Sequence, residues 1–200
     1  MKVAAIVLAA GSSERLPEKN KLLLEISGIP MIKLVCASVE AAGYDPIIVV
    51  TGYERSLIRS TLKRNQVLFV HNDAWETGMS GSIRTGITTL PTEVDGCAIV
   101  LGDMPLVKVD TLRTLRVTFD RKKGAKIVYP LSGNRQGNPV LFPKTYFTEI
   151  MSISSDQRCK SILNHHIESA VPVELISDDV LIDCDTQRDY LRLLEKTEQD

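Results

Sequence analysis

Short apolar runs that alternate with helical patterns constrain the fold of this 200-residue chain more than any other feature. The runs occupy residues 3–8, 46–51, 67–70, 97–101 and 127–130. They are rich in Val and Ile, and their length suits a buried strand better than a helix. Strands of this kind that alternate with helices predict an α/β fold, in which a mostly parallel sheet is covered by helices on both faces and joined by right-handed crossovers.

Composition favours one domain and excludes several classes of partner. A chain with 44% hydrophobic residues can bury one good core, so residues 1–200 are expected to form a single domain. The net charge is −1, so no overall field favours nucleic acid or a membrane. The N-terminus runs straight into the first strand, and no apolar run approaches the roughly 20 residues that span a bilayer. We expect a cytoplasmic protein whose scattered cysteines stay reduced.

Small residues follow the first predicted strand, in the order Ala9-Ala10-Gly11-Ser12-Ser13. Such a turn leaves main-chain N–H groups open to phosphate oxygens. Arg15 and Lys21 follow, and residues 17–20 between them are too polar to bury. We interpret the segment as a phosphate-binding turn with a flexible basic loop that closes over a nucleoside triphosphate. The alternative is an ordinary turn with a solvated loop, because neither the P-loop pattern nor the dinucleotide fingerprint is present.

A carboxylate follows the strand predicted at residues 97–101. Gly102 and Pro105 fix the turn around Asp103, which points into the crevice beyond the strand ends where ligands bind in such sheets. Mg²⁺ prefers one or two carboxylates with phosphate oxygens and waters, so Asp103 and one further Asp would suffice. Asp183 and Asp185 lie on one face of a strand predicted at residues 180–186. The alternatives are a turn-forming or capping role for Asp103 and solvating charges for the other two.

Residues 78–86 predict a helix N-terminus, with Ser80 or Ser82 as the N-cap and Arg84 in the first turn. A helix start that carries a cation attracts anions or base carbonyl groups, although a capped helix with a surface arginine is the alternative. We expect Trp75 in the core or at the rim of a site. The Gly- and Asn-rich residues 132–142 predict a hairpin-like crossover that cannot pack as core. Helices are expected within residues 146–163 and 187–194, with a strand at 171–175.

Residues 8–23 resemble the molybdenum cofactor nucleotidyltransferases, whose signature reads L-A-[AG]-G-x-S-x-R-[ML]-G-x-x-x-K-L-L. The matching residues are Leu8, Ala9, Ala10, Gly11, Ser13, Arg15, Leu16, Lys21, Leu22 and Leu23, whereas Pro17 replaces the usual Gly. Residues 78–86, 102–105 and 183–189 resemble further motifs of the family. In the segment similar to R-G-H-P-V-L-F, Asn138 replaces His and Gln136 replaces Arg. The resemblance extends over nearly all residues from 3 to 191.

The resemblance implies a single-domain, Rossmann-like nucleotidyltransferase of the GT-A type and assigns roles to individual residues. Arg15, Lys21 and Asp103 are the implied catalytic residues. Asp103 and Asp185 are the implied Mg²⁺ ligands, with Asp183 as a weaker candidate. The implied nucleotide-binding residues are Leu8, Ala9, Ala10, Gly11, Ser12, Ser13, Arg15, Lys21, Thr51, Ser82, Arg84 and Gly102. The implied acceptor-side residues are Met104, Pro105, Gly137, Asn138 and Pro139.

The activity that the resemblance implies is transfer of CMP from CTP to the phosphate of molybdopterin, the organic part of the molybdenum cofactor, with release of pyrophosphate. Ala10, in place of a second Gly, is similar to the cytidylyl branch of the family, although GTP stays open. The product would pass to a molybdenum hydroxylase. Two alternatives remain, namely an NAD(P)H-dependent oxidoreductase of the nicotine-blue type and a non-catalytic chaperone for the cofactor. Cofactor fluorescence and pyrophosphate release would distinguish them.

Overall fold

The structure is a computed structural model that describes residues 1–13, 15, 20–63, 65–152 and 159–199. The strands are β1 (Val3–Ala9), β2 (Glu25–Ile26), β3 (Ile29–Pro30), β4 (Ile47–Thr51), β5 (Leu68–His71), β6 (Gly96–Leu101), β7 (Val128–Ser132), β8 (Arg135–Gln136), β9 (Val140–Pro143) and β10 (Val171–Leu175). The helices are α1 (Met31–Ala41), α2 (Arg55–Thr61), α3 (Met79–Thr89), α4 (Val109–Arg121), α5 (Phe147–Met151), α6 (Cys159–His165) and α7 (Gln187–Gln199).

One mixed sheet organises the described part of the chain. Its strand order is β10-β7-β9-β6-β1-β4-β5, and β8 pairs with β7 beside this path. The pairs β1–β4, β1–β6, β4–β5 and β7–β10 are parallel. Register places Ala9 opposite Thr51 and Leu8 opposite Leu101, so the segments after β1, β4 and β6 leave the sheet at one edge. The mostly parallel α/β sheet flanked by helices confirms the predicted fold class.

Helices cover both faces of the sheet because the strands alternate their side chains between two cores. One core joins Ala5, Val7 and Ala9 of β1 to apolar residues of α1, α2 and α4. The other joins Ala4, Ile6 and Leu8 to α3, α5 and α6. All four cysteines are buried free thiols. Among the described residues, no helix is both long and apolar enough to cross a membrane.

Two predicted elements differ from the structure. Residues 140–143, expected outside the core, form β9, which is fully buried and antiparallel to both β6 and β7. The Gly- and Asn-rich part of that segment does form the expected hairpin, between β7 and β8. The sequence predicts a strand over residues 180–186, but residues 180 and 181 belong to a 3₁₀ turn at Asp179–Leu181, and the segment pairs with no strand of the described chain.

Isolated backbone hydrogen bonds hold residues 180–185 in place, without the repeated pairing of a β-sheet. Asn138 N donates to Val180 O over 2.9 Å, and Cys184 N donates to Asp103 O over 3.1 Å. A Cβ on Gly137 would lie 2.7 Å from Val180 O, so only glycine permits this close approach. The apolar residues at 180–182 and 184 suggested a strand, but in the structure their pattern reflects burial of Val180 and Cys184 without strand pairing.

Gly52, which follows β4, allows the turn after β1 to form. A Cβ at this position would lie 2.7 Å from Ala10 O and 2.5 Å from Trp75 Cβ. We expect Gly52→Ala to destabilise the protein by about 1–3 kcal/mol, because these atoms lie on or next to backbone and cannot move away cheaply. Gly11→Ala is the matched control, since its Cβ would meet nothing within 4 Å. Denaturant unfolding of both variants tests this, and equal stabilities would contradict it.

Candidate active site

A cleft of about 690 Å³ opens at the edge of the sheet where β1 and β6 end. Eleven of its lining residues are predicted from the sequence to bind nucleotide, to bind metal or to take part in catalysis, with Asp183 counted as the weaker metal candidate. They are Leu8, Ala10, Gly11, Ser12, Arg15, Lys21, Ser82, Gly102, Asp103, Asp183 and Asp185. The cleft therefore collects residues from the start, the middle and the end of the chain.

A compact ion cluster occupies the floor of this cleft. Lys21 Nζ lies 2.5 Å from Asp103 Oδ2 and 2.7 Å from Asp185 Oδ1. Arg15 Nη1 lies 3.1 Å from Asp185 Oδ2. The side chains of Lys21 and Asp103 are only 16% and 13% exposed, so water screens this pair less than it screens a surface ion pair.

Local backbone contacts place Asp103 beside the turn after β1. Gly102 N donates to Leu8 O over 3.1 Å, which extends the β1–β6 pairing by one step. A Cβ on Gly102 would approach Leu8 O to 2.7 Å, so glycine is needed for the contact. The Asp103 carbonyl then accepts from Cys184 N. Asp183 and Asp185, which flank Cys184, are thereby fixed next to Asp103.

Lys21 is held by a 3₁₀ turn over Lys21–Leu23. The side chain of Asn20 caps this turn by accepting from Leu22 N over 3.1 Å. Ser13 Oγ accepts from Lys21 N over 3.0 Å and so ties the two ends of the loop together. Ser13 adopts a positive φ of 59°. The predicted flexible basic loop falls largely on Leu16, Pro17, Glu18 and Lys19, which lie outside the described residues.

The cluster shifts the ionisation of its members. Burial would lower the pKa of Lys21, but the charge of Asp103 and hydrogen bonds to Asp103 and Asp185 outweigh it and raise that pKa. The hydrogen bond from Lys21 lowers the pKa of Asp185, and the charges of Lys21 and Arg15 act in the same direction. Burial raises the pKa of Asp183, and repulsion by Asp103 and Asp185 adds to the effect. At neutral pH, Lys21 and Asp185 are therefore both charged.

The donor set of the cleft fits a hard divalent cation. Because Lys21 Nζ contacts both carboxylates, their oxygens are separated by no more than the two contact distances of 2.5 and 2.7 Å combined. Two oxygens on one Mg²⁺ ion lie within roughly 4 Å of each other, so small side-chain rotations would suffice. The described residues contain no group of three or more His, Cys, Asp or Glu side chains arranged for a metal. A cation here would depend on two carboxylates and on substrate oxygens.

Several predicted nucleotide-binding residues do not line the cleft. Ala9 is buried inside β1, and the hydroxyl of Thr51 is buried and donates to Val70 O over 3.1 Å. Ser13 closes the loop, as described above. Arg84 lies in the second turn of α3 and is not among the lining residues. The predicted caps Ser80 and Ser82 are both buried within α3, whose N-cap is Gly78, because the helix begins at Met79.

The predicted acceptor-side residues lie beside the cleft without lining it. Met104 is only 4% exposed and packs in the core with α1 and α4. Asn138 and Pro139 border a small apolar cavity together with Met104, and Gly137 packs against Val180. Pro105 is also absent from the cleft wall that the structure describes. None of these five residues is therefore among the described residues that line the cleft.

One wall of the cleft consists of Trp75, Glu76, Gly78 and Met79, of which sequence reasoning missed Glu76 and Met79. Trp75 had been placed in the core or at a site rim, and it is half-buried at the rim, with its ring 5.7 Å from that of Tyr53. The signal for this wall in the sequence is Gly78, the N-cap of α3. Because glycine offers no side-chain cap, the first N–H groups of the helix stay open to a ligand.

At one edge of the largely parallel sheet, the turn after β1 meets two cations and two carboxylates from distant segments. This arrangement is typical of the nucleotidyltransferases, and the family match places the chain in that class. Enzymes of this class transfer a nucleotidyl group from a nucleoside triphosphate to an acceptor. Residues 5–171 match the sequence profile of the MobA-like NTP transferase domain. The chain belongs to this family.

Solved structures and curated proteins are also similar to this chain. The crystal structure of Rv0371c from Mycobacterium tuberculosis H37Rv has a TM-score of 0.86 and 25% identity, over 97% of this chain and 98% of that one. A crystal structure of Rv0371c in complex with manganese has a TM-score of 0.81 and 25% identity, over 98% and 99% of the two chains. Bifunctional protein GlmU of Staphylococcus epidermidis is 33% identical over 116 residues, which are 58% of this chain. The match spans only 25% of GlmU.

Proposed function

We propose that this nucleotidyltransferase transfers CMP from CTP to the terminal phosphate of molybdopterin and releases pyrophosphate, with Mg²⁺ bound by Asp103 and Asp185. The observation that carries the proposal is the convergence of these two carboxylates on Lys21 beside the open turn at Gly11. Asp103 lies 82 positions and Asp185 lies 164 positions from Lys21 in the sequence, yet both carboxylates contact its Nζ atom. That arrangement suits phosphoryl chemistry, which needs positioned charge more than a covalent intermediate.

The triphosphate would bind along the turn after β1. Gly11 has open space on its Cα, so phosphate oxygens could approach its backbone N–H group and that of Ser12. The uncapped N-terminus of α3 faces the same cleft through Gly78 and Met79, and its unpaired N–H groups would favour negative charge. Trp75 and Glu76 form the adjacent wall, where the pyrimidine ring would lie.

Charge on the phosphates would be neutralised by two groups of the protein. Lys21 and Arg15 would contact phosphate oxygens, because both side chains face the cleft from the loop that follows the turn. A divalent cation held by Asp103 and Asp185, when bound, would supply further charge stabilisation of the phosphate oxygens. The manganese complex of Rv0371c, a chain of similar fold, supports a divalent cation in such a protein without identifying the metal here.

In the proposed reaction, a terminal phosphate oxygen of molybdopterin forms a bond to the α-phosphorus of CTP. The bond from the α-phosphorus to the bridging oxygen of the β-phosphate breaks in line, and pyrophosphate leaves with the bonding electron pair. The anionic nucleophile needs no general base. The catalytic task of Arg15 and Lys21 is therefore to offset repulsion between two anionic reactants and to stabilise the charge that develops on pyrophosphate.

The identities of nucleotide and acceptor rest on the motif resemblance. Ala10 in the turn is similar to the cytidylyl branch and supports CTP over GTP. Molybdopterin as the acceptor, and a molybdenum hydroxylase as the recipient of the product, follow from the same family resemblance. Sugar phosphates, the acceptors of another class of nucleotidyltransferase, belong in the test as competing acceptors.

Pyrophosphate release tests this function. We expect release only when CTP, Mg²⁺ and molybdopterin are all present, with a much lower rate for ATP, GTP and UTP. A sugar 1-phosphate in place of molybdopterin serves as the control acceptor. Release with the sugar phosphate alone would overturn the proposed acceptor, and quenching of NAD(P)H fluorescence without any pyrophosphate release would support the oxidoreductase instead.

A further inference from the structure

We propose that Lys21 excludes divalent cations from the nucleotide-free protein, so that the metal binds only together with the triphosphate. The inference rests on the proposed function, because it takes Asp103 and Asp185 as the metal ligands. It adds to that function the order in which triphosphate and metal bind. It also gives Lys21 a second role beside its contact with the phosphate oxygens. The triphosphate would draw the ammonium away from the carboxylates and so make their oxygens available.

The positions of the three side chains carry the inference. Lys21 Nζ contacts Asp103 Oδ2 at 2.5 Å and Asp185 Oδ1 at 2.7 Å, so it occupies the space between the two oxygens. A metal ion ligated by both oxygens would have to lie in the same space. Two cations at such close range repel each other strongly at a site where both Lys21 and Asp103 are largely shielded from water. Binding of one therefore excludes the other.

Arg15 reinforces the closed arrangement. Its Nη1 atom lies 3.1 Å from Asp185 Oδ2, so both oxygens of that carboxylate have a cationic partner. Both cations come from the segment that follows the phosphate-binding turn, whereas both carboxylates come from elsewhere in the chain. The negative charge of a bound triphosphate would thus attract Arg15 and Lys21, the same two side chains that pair with the carboxylates.

The backbone that carries the two carboxylates is fixed, so the exchange depends on movement of side chains, mainly that of Lys21. Cys184, between Asp183 and Asp185, is fully buried with Ile26, Met31 and Leu193, and its N–H bonds to Asp103 O. On the other side, the backbone of Lys21 is tied to Ser13 Oγ, so only its side chain needs to swing. The exchange of ammonium for metal then requires rotation about side-chain bonds, with no rearrangement of the fold.

Titration of the nucleotide-free protein with Mn²⁺, followed by electron paramagnetic resonance of the free ion, tests the inference. We expect Lys21→Met to bind Mn²⁺ at least about tenfold more tightly than wild type, since removing the ammonium removes the competing ion. Adding the non-hydrolysable α,β-methylene analogue of CTP should tighten Mn²⁺ binding to wild type far more than to Lys21→Met. By linkage, Mn²⁺ should tighten analogue binding to wild type by the same factor.

Lys196→Met is the matched control. Lys196 also bridges two carboxylates, with contacts of 2.5 Å to Asp178 and 3.7 Å to Asp179, but it lies outside the cleft. Its loss should not reproduce the gain of about tenfold in Mn²⁺ affinity, because Asp178 is 58% exposed and water screens its charge, whereas Asp103 is 13% exposed. The gain in Lys21→Met should also vanish when Asp103→Asn is added, which locates the ion. A second variant, Lys21→Gln, repeats the comparison if the Met variant unfolds.

Equal or weaker Mn²⁺ binding by nucleotide-free Lys21→Met and Lys21→Gln would overturn the exclusion by Lys21. A gain that persists in the Asp103→Asn double variant would also overturn it, because the ion would then lie elsewhere. These measurements use no acceptor and no turnover. Failure of the proposed reaction would instead appear as absent pyrophosphate release by wild-type protein, so the two failures are distinguishable.

Discussion

Turnover by the Asp103→Asn variant should fall by at least about a thousandfold, while its thermal unfolding stays close to that of wild type. Asparagine has nearly the same shape as aspartate, and its side-chain oxygen can still accept a hydrogen bond from Lys21. The backbone contacts of Asp103 to Cys184 do not depend on its side chain. The variant therefore removes a metal-ligating charge and little else. Pyrophosphate release and circular dichroism measure the two quantities.

Asp110→Asn is the control for this experiment. Asp110 lies in the first turn of α4, with its side chain 92% exposed in a surface ion pair with Arg113. Its substitution should leave both turnover and unfolding unchanged. An Asp103→Asn enzyme with normal turnover would refute the role of Asp103, and a collapse of its folded state would show that the carboxylate is structural.

The second large effect concerns Lys21. Lys21→Met should lower the rate of pyrophosphate release by about a hundredfold or more, because an ammonium no longer offsets charge on the phosphates. The same substitution is expected to strengthen Mn²⁺ binding in the absence of nucleotide. A single change should thus move metal affinity and turnover in opposite directions, which general damage to the fold would not do.

Lys196→Met again provides the reference, since it removes a lysine from a double ion pair that lies outside the cleft. It should keep wild-type turnover. Rates should be compared at saturating Mg²⁺ and CTP, so that a change in affinity for either ligand is not mistaken for a change in the rate of the chemical step. Full turnover by Lys21→Met under those conditions would leave Lys21 with a role in metal exclusion alone.

Much of the fold could be predicted because the parallel strands carry a local signal. Residues 3–8 and 46–51 are nearly continuous Val, Ile, Leu and Ala, and they became the buried neighbours β1 and β4. The strand β9 was missed because Gly137 and Asn138 suggested a solvent-exposed segment. Insertion of a late strand antiparallel between β6 and β7 depends on pairing across long sequence separations, which no local pattern encodes.

The charged part of the site was more predictable than its walls. Lys21 and Asp103 are recognisable because strand ends in parallel sheets share one edge, and the structure brings them within 2.5 Å. The family resemblance implied an acceptor-side role for Met104, yet its side chain packs in the core. Glu76 and Met79 were missed because their exposure depends on where α3 begins, and the serines that suggested that start lie inside the helix.

The packing of α7 joins the last part of the chain to the first. Leu193 is buried with Ile26 and Met31, and the Tyr190 hydroxyl donates to Glu25 O over 2.7 Å. The C-terminal helix thus braces the segment just after the basic loop and, through Cys184, the acidic segment that faces it. Truncation within α7 would therefore act on the geometry of the cleft, so the protein used for assay should keep α7 intact.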